Sequence, residues 1–397
     1  MSKTTVLSGL EKFCIDQHLQ NTLSGNIAYL CHNASVGPQY EHGINRMLTL
    51  FKKRFRVIFS PQHGLGGEKQ DNMIESPHFF HPYFQRQVYS LYSDTRVPSP
   101  EMLEGIDHVL VDLQEVGTRA YTYIYTLFLL MRQCAKSGVE VLVLDRPNPL
   151  NGIELEGNIL HPDFASFVGL YPLPMRHGLT IGELALMAQK HWGLDCPLRV
   201  VKMEGWERWM YFEDTKLPWV MPSPNLPTVE SILPYVGTVL FEGTNISEGR
   251  GTTKPFEILG HPAINAQEVV AHLSSVFHQN NLTGLVFRPQ NFIPVFDKYK
   301  DQTCGGFQLH ITDRKTFKPW KAGQLLCREL YSKLGDAFAW FEGPFEYIEK
   351  HLPIDVLNGT DRLRQWVTQQ GSMEELEALE TEGRHEFLTL RKEVLLY

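Results

Sequence analysis

Short apolar runs alternate with helix-like stretches through the first half of the chain, and that alternation restricts the fold more than any other feature. Asn26-Ile-Ala-Tyr-Leu-Cys31, Arg56-Val-Ile-Phe59, Val109-Leu-Val111 and Val139-Glu-Val-Leu-Val-Leu144 each read as a buried strand. Val88-Tyr-Ser-Leu-Tyr92 reads as another. Ile44-Asn-Arg-Met-Leu-Thr-Leu-Phe51 and residues 121–137 read as helices between them, with Pro100-Glu-Met-Leu103 as a short helical turn. Strands joined through helices run parallel, because a parallel pair needs a crossover. The expected fold class is therefore α/β, a doubly wound parallel sheet with flanking helices. Residues 180–191 add a helix that Thr180 caps, with Glu183 three residues on completing a capping box. Pro218-Trp-Val-Met-Pro-Ser-Pro-Asn-Leu-Pro227 cannot be helical, since proline fixes φ and lacks a donor. We place a domain boundary just after it. Residues 1–232 hold the sheet, and residues 233–397 form a smaller α+β domain with helices at 267–278, 322–334, 360–369 and 373–379 and a strand at Gly306-Phe-Gln-Leu-His-Ile311.

Composition narrows the function classes. At 397 residues, 43% hydrophobic and 21% charged, the chain can bury a large core. Its net charge of −8 and lack of a Lys/Arg block argue against a nucleic-acid binder. No apolar run reaches the ~20 residues that span a bilayer, and the first residues lack a signal-peptide core. Six scattered cysteines without a Cys-x-x-Cys pair indicate reduced thiols and a cytoplasmic protein.

Each predicted strand delivers polar residues at its C-terminal end. Cys31-His-Asn-Ala-Ser35 follows the first and Ser60-Pro-Gln-His-Gly-Leu-Gly-Gly-Glu-Lys-Gln-Asp-Asn72 the second. Asp112-Leu-Gln-Glu-Val-Gly-Thr-Arg-Ala-Tyr-Thr-Tyr123 and Asp145-Arg-Pro-Asn-Pro149 follow two others. A parallel sheet gathers such ends on one rim, where ligands bind. The costly burial of so many polar groups asks for a reason. Gly64-Leu-Gly-Gly67 is not a dinucleotide fingerprint, for its third glycine falls one residue early and polar residues follow it. It is either a flexible site loop or a tight turn. His63, His78 and His81 lack a carboxylate frame, and Pro77 and Pro82 bracket the latter two, so no metal is expected. No Gly-x-Ser-x-Gly elbow is present, and Ser223, among prolines, reads as a turn hydroxyl. Carboxylates are plentiful. Glu68, Asp71, Asp112, Glu115 and Asp145 lie on or near the rim, and Phe241-Glu-Gly-Thr-Asn-Ile-Ser-Glu-Gly-Arg-Gly-Thr252 adds Glu242 and Glu248. Paired carboxyl groups of unequal acidity are what glycoside hydrolysis requires. Arg119, Arg146, Arg176 and Arg250 either hold a substrate carboxylate or pair within the fold. Tyr121, Tyr123, Tyr171 and Trp219 either stack on a sugar or fill the core.

These runs, with Arg176-His-Gly-Leu-Thr-Ile-Gly-Glu183, Pro222-Ser-Pro-Asn-Leu-Pro227, Cys304-Gly-Gly-Phe-Gln-Leu-His310 and Leu395-Leu-Tyr397, resemble the exo-β-N-acetylmuramidases of glycoside hydrolase family 171, long catalogued as a domain of unknown function. The likeness covers nearly the whole chain and rests on the number and order of motifs. It implies a Rossmann-like N-terminal domain with the cleft, a smaller C-terminal α/β domain, and release of terminal N-acetylmuramic acid from peptidoglycan fragments without NAD or metal. Two positions depart from the family pattern: Gln62 stands where glutamate is usual, and Glu115 where aspartate is common. Recycling of wall fragments inside the cell fits the lack of an export signal.

Together the acids and the resemblance give a set of expected site residues. Glu68 or Glu115 is the expected general acid, with Asp112, Glu242 or Glu248 as base, nucleophile or charge partner. Arg119 or Arg250 is expected to meet the lactyl carboxylate of muramic acid. Asn33, Gln62, His63, Tyr121, Tyr123, Arg146, His177, Asn225 and Asn245 complete the expected binding set. A non-catalytic muropeptide-binding protein, favoured by Gln62, and a hydrolase of another acidic sugar are the rival readings.

Overall fold

The computed structural model describes residues 5–70 and 73–397. The larger sheet contains β1 (Ile27–Cys31), β2 (Phe55–Ser60), β3 (Phe79–His81), β4 (Arg86–Ser90), β5 (His108–Asp112), β6 (Glu140–Leu144) and β7 (Leu198–Val201). Their spatial order is β3-β4-β2-β1-β5-β6-β7, and every pair is parallel except the edge pair β3–β4. The sheet is Rossmann-like, as expected. β1 lies between β2 and β5, so the strand order turns back there, and the loops after β1 and β5 flank the crevice that this reversal opens. All of β1 is buried, as are the last four residues of β5 and β6. Helices on both faces explain why these strands are continuously apolar rather than alternating.

Helix Tyr123–Ser137 is buried around most of its circumference and stops at Gly138, whose φ of 68° supplies a left-handed cap. Helix Ile181–His191 carries the predicted capping box: Thr180 accepts from the Glu183 N–H and the Glu183 side chain accepts from the Thr180 N–H. The proline-rich segment 218–227 contains neither helix nor strand. The turn predicted at residues 100–103 is a 3-10 helix, Pro100–Leu103.

The second sheet is antiparallel, with β8 (Ile258–His261), β9 (Leu285–Phe292) and β10 (Cys304–Ile311) in the order β8-β10-β9. Helices Ala266–Gln279, Pro319–Leu334, Arg362–Thr368 and Met373–Thr381 stand where the sequence places them, within a few residues. Helices Ile232–Thr238 and Pro319–Leu334 cross at Gly237 and Gly323, where a Cβ on Gly237 would fall 2.0 Å from the Pro319 carbonyl oxygen. One apolar core runs through both halves, from Ala28 on β1 through Tyr125 and Trp320 to Val394. Arg119 reinforces the joint. Its Nη1 donates to the carbonyls of Asn158 (2.9 Å) and Leu173 (2.7 Å), and its Nη2 to those of Leu357 (3.1 Å) and Asn358 (2.8 Å). Among the described residues no helix is long and apolar enough to cross a membrane.

Candidate active site

Four stretches of chain meet around one small, partly open polar cavity of about 40 Å³. The loop after β2 supplies Gln62 and His63, and the loop after β5 supplies Tyr121 and Thr122. The helical stretch 232–243 and the loop behind it bring Tyr235, Glu242 and Arg250. The turn at residues 345–348 brings Glu346.

The charges in this cavity are arranged asymmetrically. Arg250 donates from Nη2 to Glu242 at 2.6 Å and sits 3.2 Å from Glu248 through Nε. Burial works against the Arg250 cation, but Glu242 and Glu248 outweigh it and hold its pKa above the ordinary value. Glu248, itself buried, pairs with the partly exposed Lys298 (2.7 Å); burial would raise its pKa, yet Lys298 and Arg250 keep it depressed. Glu346 has a different setting. Burial pushes its carboxyl up, a hydrogen bond from Tyr92 opposes that, and the nearby Glu242 charge pushes it up again, to about 7. The Tyr92 hydroxyl lies 3.1 Å from each Glu346 oxygen. Gln62 accepts from Thr122 Oγ1 at 2.6 Å through Oε1, and its side chain also bonds Glu346. His63 is lowered to about 4 by burial, so it is neutral at pH 7; its Nδ1, 2.7 Å from the Lys69 carbonyl oxygen, carries the proton.

Of the expected residues, the structure brings Gln62, His63, Tyr121, Glu242 and Arg250 to the cavity. Tyr123 stands behind it, donating to the Pro222 carbonyl at 2.7 Å. The others are elsewhere, each for a physical reason. Glu68 is exposed and shares an open depression with Asn33, His42 and Phe79. Asp112 is fully buried and consumed by Arg146, which donates from Nε and, at 3.0 Å, from Nη2, and by the Tyr29 hydroxyl at 2.6 Å. Glu115 faces His177 at 3.3 Å and accepts from the Gly117 N–H. Arg119 is spent on backbone carbonyls, and Arg176 on Glu156 at 2.7 Å. Asn225 holds Gln70 in place, and Asn245 clips the carbonyl of Ala337 and the N–H of Ala339. Asp145 caps helix Ile181–His191 by accepting from Thr180 and the Gly182 N–H. Tyr171 stacks on Trp192 and Trp219 packs edge-on against Phe212, and neither lines the cavity. Asp71 lies outside the described residues. His78 and His81 accept from backbone N–H groups at and beside β4 and do not converge with His63.

A family model described as "Exo-beta-N-acetylmuramidase NamZ, N-terminal" matches residues 27–230, and its C-terminal counterpart matches residues 233–397. The chain belongs to the NamZ exo-β-N-acetylmuramidase family. It is 39% identical over 397 residues, all of this chain and 92% of the other, to the peptidoglycan β-N-acetylmuramidase NamZ of Bacillus subtilis strain 168. Two crystal structures of DUF1343 family proteins from Bacteroides fragilis superpose with TM-scores of 0.86 and 0.74, at 27% and 29% identity, each match covering 99% of both chains. NamZ membership thus agrees with the resemblance carried by the sequence motifs.

Sequence reasoning missed Thr122, Tyr235 and Glu346 as cavity residues. Thr122 was within reach, because it lies inside the strongest motif. Tyr235 and Glu346 sit in stretches that no strand-end rule singles out. A wider cleft of about 800 Å³ lies beside Tyr211, Glu257 and Arg314. None of the expected site residues lines it; of its acids, Glu257 pairs with Lys254 and Glu213 with Arg314, and Glu230 is exposed.

Proposed function

We propose that this chain is a glycosidase that releases terminal N-acetylmuramic acid from the non-reducing end of peptidoglycan fragments. The observation that carries the reading is the pairing, in one buried cavity, of an Arg-bound carboxylate (Glu242) with a second carboxyl (Glu346) held by a phenol and an amide, in a member of the NamZ family. Two carboxyl groups in contrasting surroundings can divide the labour of glycoside hydrolysis, one as acid and one as anion. Arg250 is our assignment for recognition of the lactyl carboxylate, because it lines the cavity and Arg119 does not. The six unpaired thiols support a reducing compartment and therefore a cytoplasmic role in recycling wall fragments. The purified protein should liberate phenol from a chromogenic β-N-acetylmuramide and sugar from natural disaccharide fragments. Absence of turnover with both removes the reading.

Gln62 favours a second reading, a muropeptide-binding protein without turnover, since an amide at the cavity wall can orient a ligand but cannot transfer a proton. That reading predicts saturable binding of the same fragments with the ligand recovered at unchanged mass.

A further inference from the structure

Glu346 reaches the cavity on an unusual piece of backbone. In the turn at residues 345–348, the Phe345 N–H donates to the Ile348 carbonyl (3.1 Å) and the Ile348 N–H to the Phe345 carbonyl (2.9 Å). The two central residues, Glu346 and Tyr347, have φ of 46° and 65°. Two successive left-handed residues make the tight hairpin turn that normally selects Asn-Gly or Gly-Gly. A glutamate and a tyrosine there are strained, and such strain persists only where the surroundings impose it. Here they do. The Arg96 guanidinium lies 4.2 Å from the centre of the Tyr347 ring and 4.3 Å from that of Tyr92, clamping the turn to the loop after β4. The Glu346 N–H points at Met73 Sδ (3.3 Å). The result is a carboxyl side chain only 5% exposed, aimed inward from a surface turn whose neighbour Tyr347 is 55% exposed.

Its surroundings suit a carboxyl that gives and regains a proton. Tyr92 holds both oxygens, Gln62 bonds the carboxyl through an amide that cannot itself titrate, and Glu242 lines the same cavity with Arg250 as its own counter-ion. His63 is neutral, and the hydroxyl of buried Tyr235 stays protonated, so neither competes for the proton at neutral pH.

Building on the glycosidase reading above, we propose that Glu346 is the proton donor of this site. As the bond between the anomeric carbon and the leaving oxygen breaks, the electron pair goes to that oxygen, which takes the Glu346 proton. Water then supplies hydroxide to the anomeric carbon, and its remaining proton restores the carboxylic acid. Tyr92 and Gln62 are positioning residues for that carboxyl.

The test uses the full-length protein, Glu346→Gln, and two β-N-acetylmuramides that differ in leaving group: a 2,4-dinitrophenyl glycoside, which departs without protonation, and a natural disaccharide, which does not. Removing a general acid should lower kcat/KM on the disaccharide by roughly 10²-fold or more while leaving the dinitrophenyl substrate within about tenfold of wild type. Wild-type kcat/KM should fall as pH rises through about 7, and that limb should vanish in the variant. Tyr92→Phe removes a donor that stabilises the carboxylate, so it should move the limb to higher pH, a readout a merely structural tyrosine would not shift. Thermal unfolding of each variant confirms that it is folded. Equal losses on both substrates, or no loss on the disaccharide, overturn the assignment while leaving the glycosidase reading intact. A wild-type protein inactive on both substrates overturns the two together.

Discussion

The rim above β5 and β6 and the cavity beside Gln62 are made of the same residue types, but the two regions use them differently. On the rim, every conspicuous charge has its partner inside the protein. Asp112 is satisfied by Arg146 and Tyr29, and Asp145 by Thr180, Gly182 and the Tyr397 hydroxyl at 2.8 Å. In the cavity, Glu242 has a guanidinium, whereas Glu346 is held by a phenol and an amide beside a void. A buried charge needs compensation wherever it sits. Density of polar residues in a sequence therefore marks polar burial, and chemistry is marked by which of those groups border empty space.

Breaking the rim should cost stability first. Asp112→Ala leaves the Arg146 cation buried without its anion and should destabilise the fold by about 3–5 kcal/mol, read by denaturant unfolding. A variant that unfolds like wild type would show that the rim is less committed to structure than its geometry indicates. Glu242→Gln sharpens the contrast from the other side. It should lose roughly 10²-fold or more in kcat/KM on muramic-acid substrates, as a group taking part in the chemistry would.

Glu346→Gln should also change stability, in the direction opposite to its effect on rate. The folded-state pKa of Glu346 is raised from 4.5 to about 7. The protonated carboxyl is preferred in the folded protein, so its stabilising contribution is complete below about 4.5 and is lost as pH rises through about 7. Over that window wild type should lose up to about 3 kcal/mol that Glu346→Gln does not. Parallel stability–pH curves for the two proteins would count against the burial described. The smallest effect belongs to Glu68→Gln. An exposed carboxylate outside the cavity should change kcat/KM by less than about threefold, since surface substitutions away from special features are nearly neutral.

Much of the first half was legible because buried parallel strands are apolar along their whole length. β1, β5 and β6, the capping box at Thr180 and the proline-rich break all leave plain signatures. β9 left none: Leu285–Phe292 contains Pro289 and carries exposed residues on both faces, so no clean alternation marks it as a strand. β7 is only four residues long and mostly half-buried. The site divides along the same physical line. Gln62, His63, Tyr121, Glu242 and Arg250 lie close after apolar runs, where strand-end reasoning looks. Glu346 lies in a turn whose left-handed residues carry no glycine to betray it. Arg119 and Asp112 were over-read for the converse reason, since structural polar networks and reactive ones look alike until their partners are known.

The guanidinium of Arg119 has a practical consequence for anyone dissecting this protein. Half of the carbonyls it binds belong to residues 357 and 358, more than two hundred positions downstream. A recombinant fragment stopped near residue 230, where the first family match ends, would keep the cation and discard those oxygens. Scissors placed at the seam between the two matched regions should yield insoluble halves.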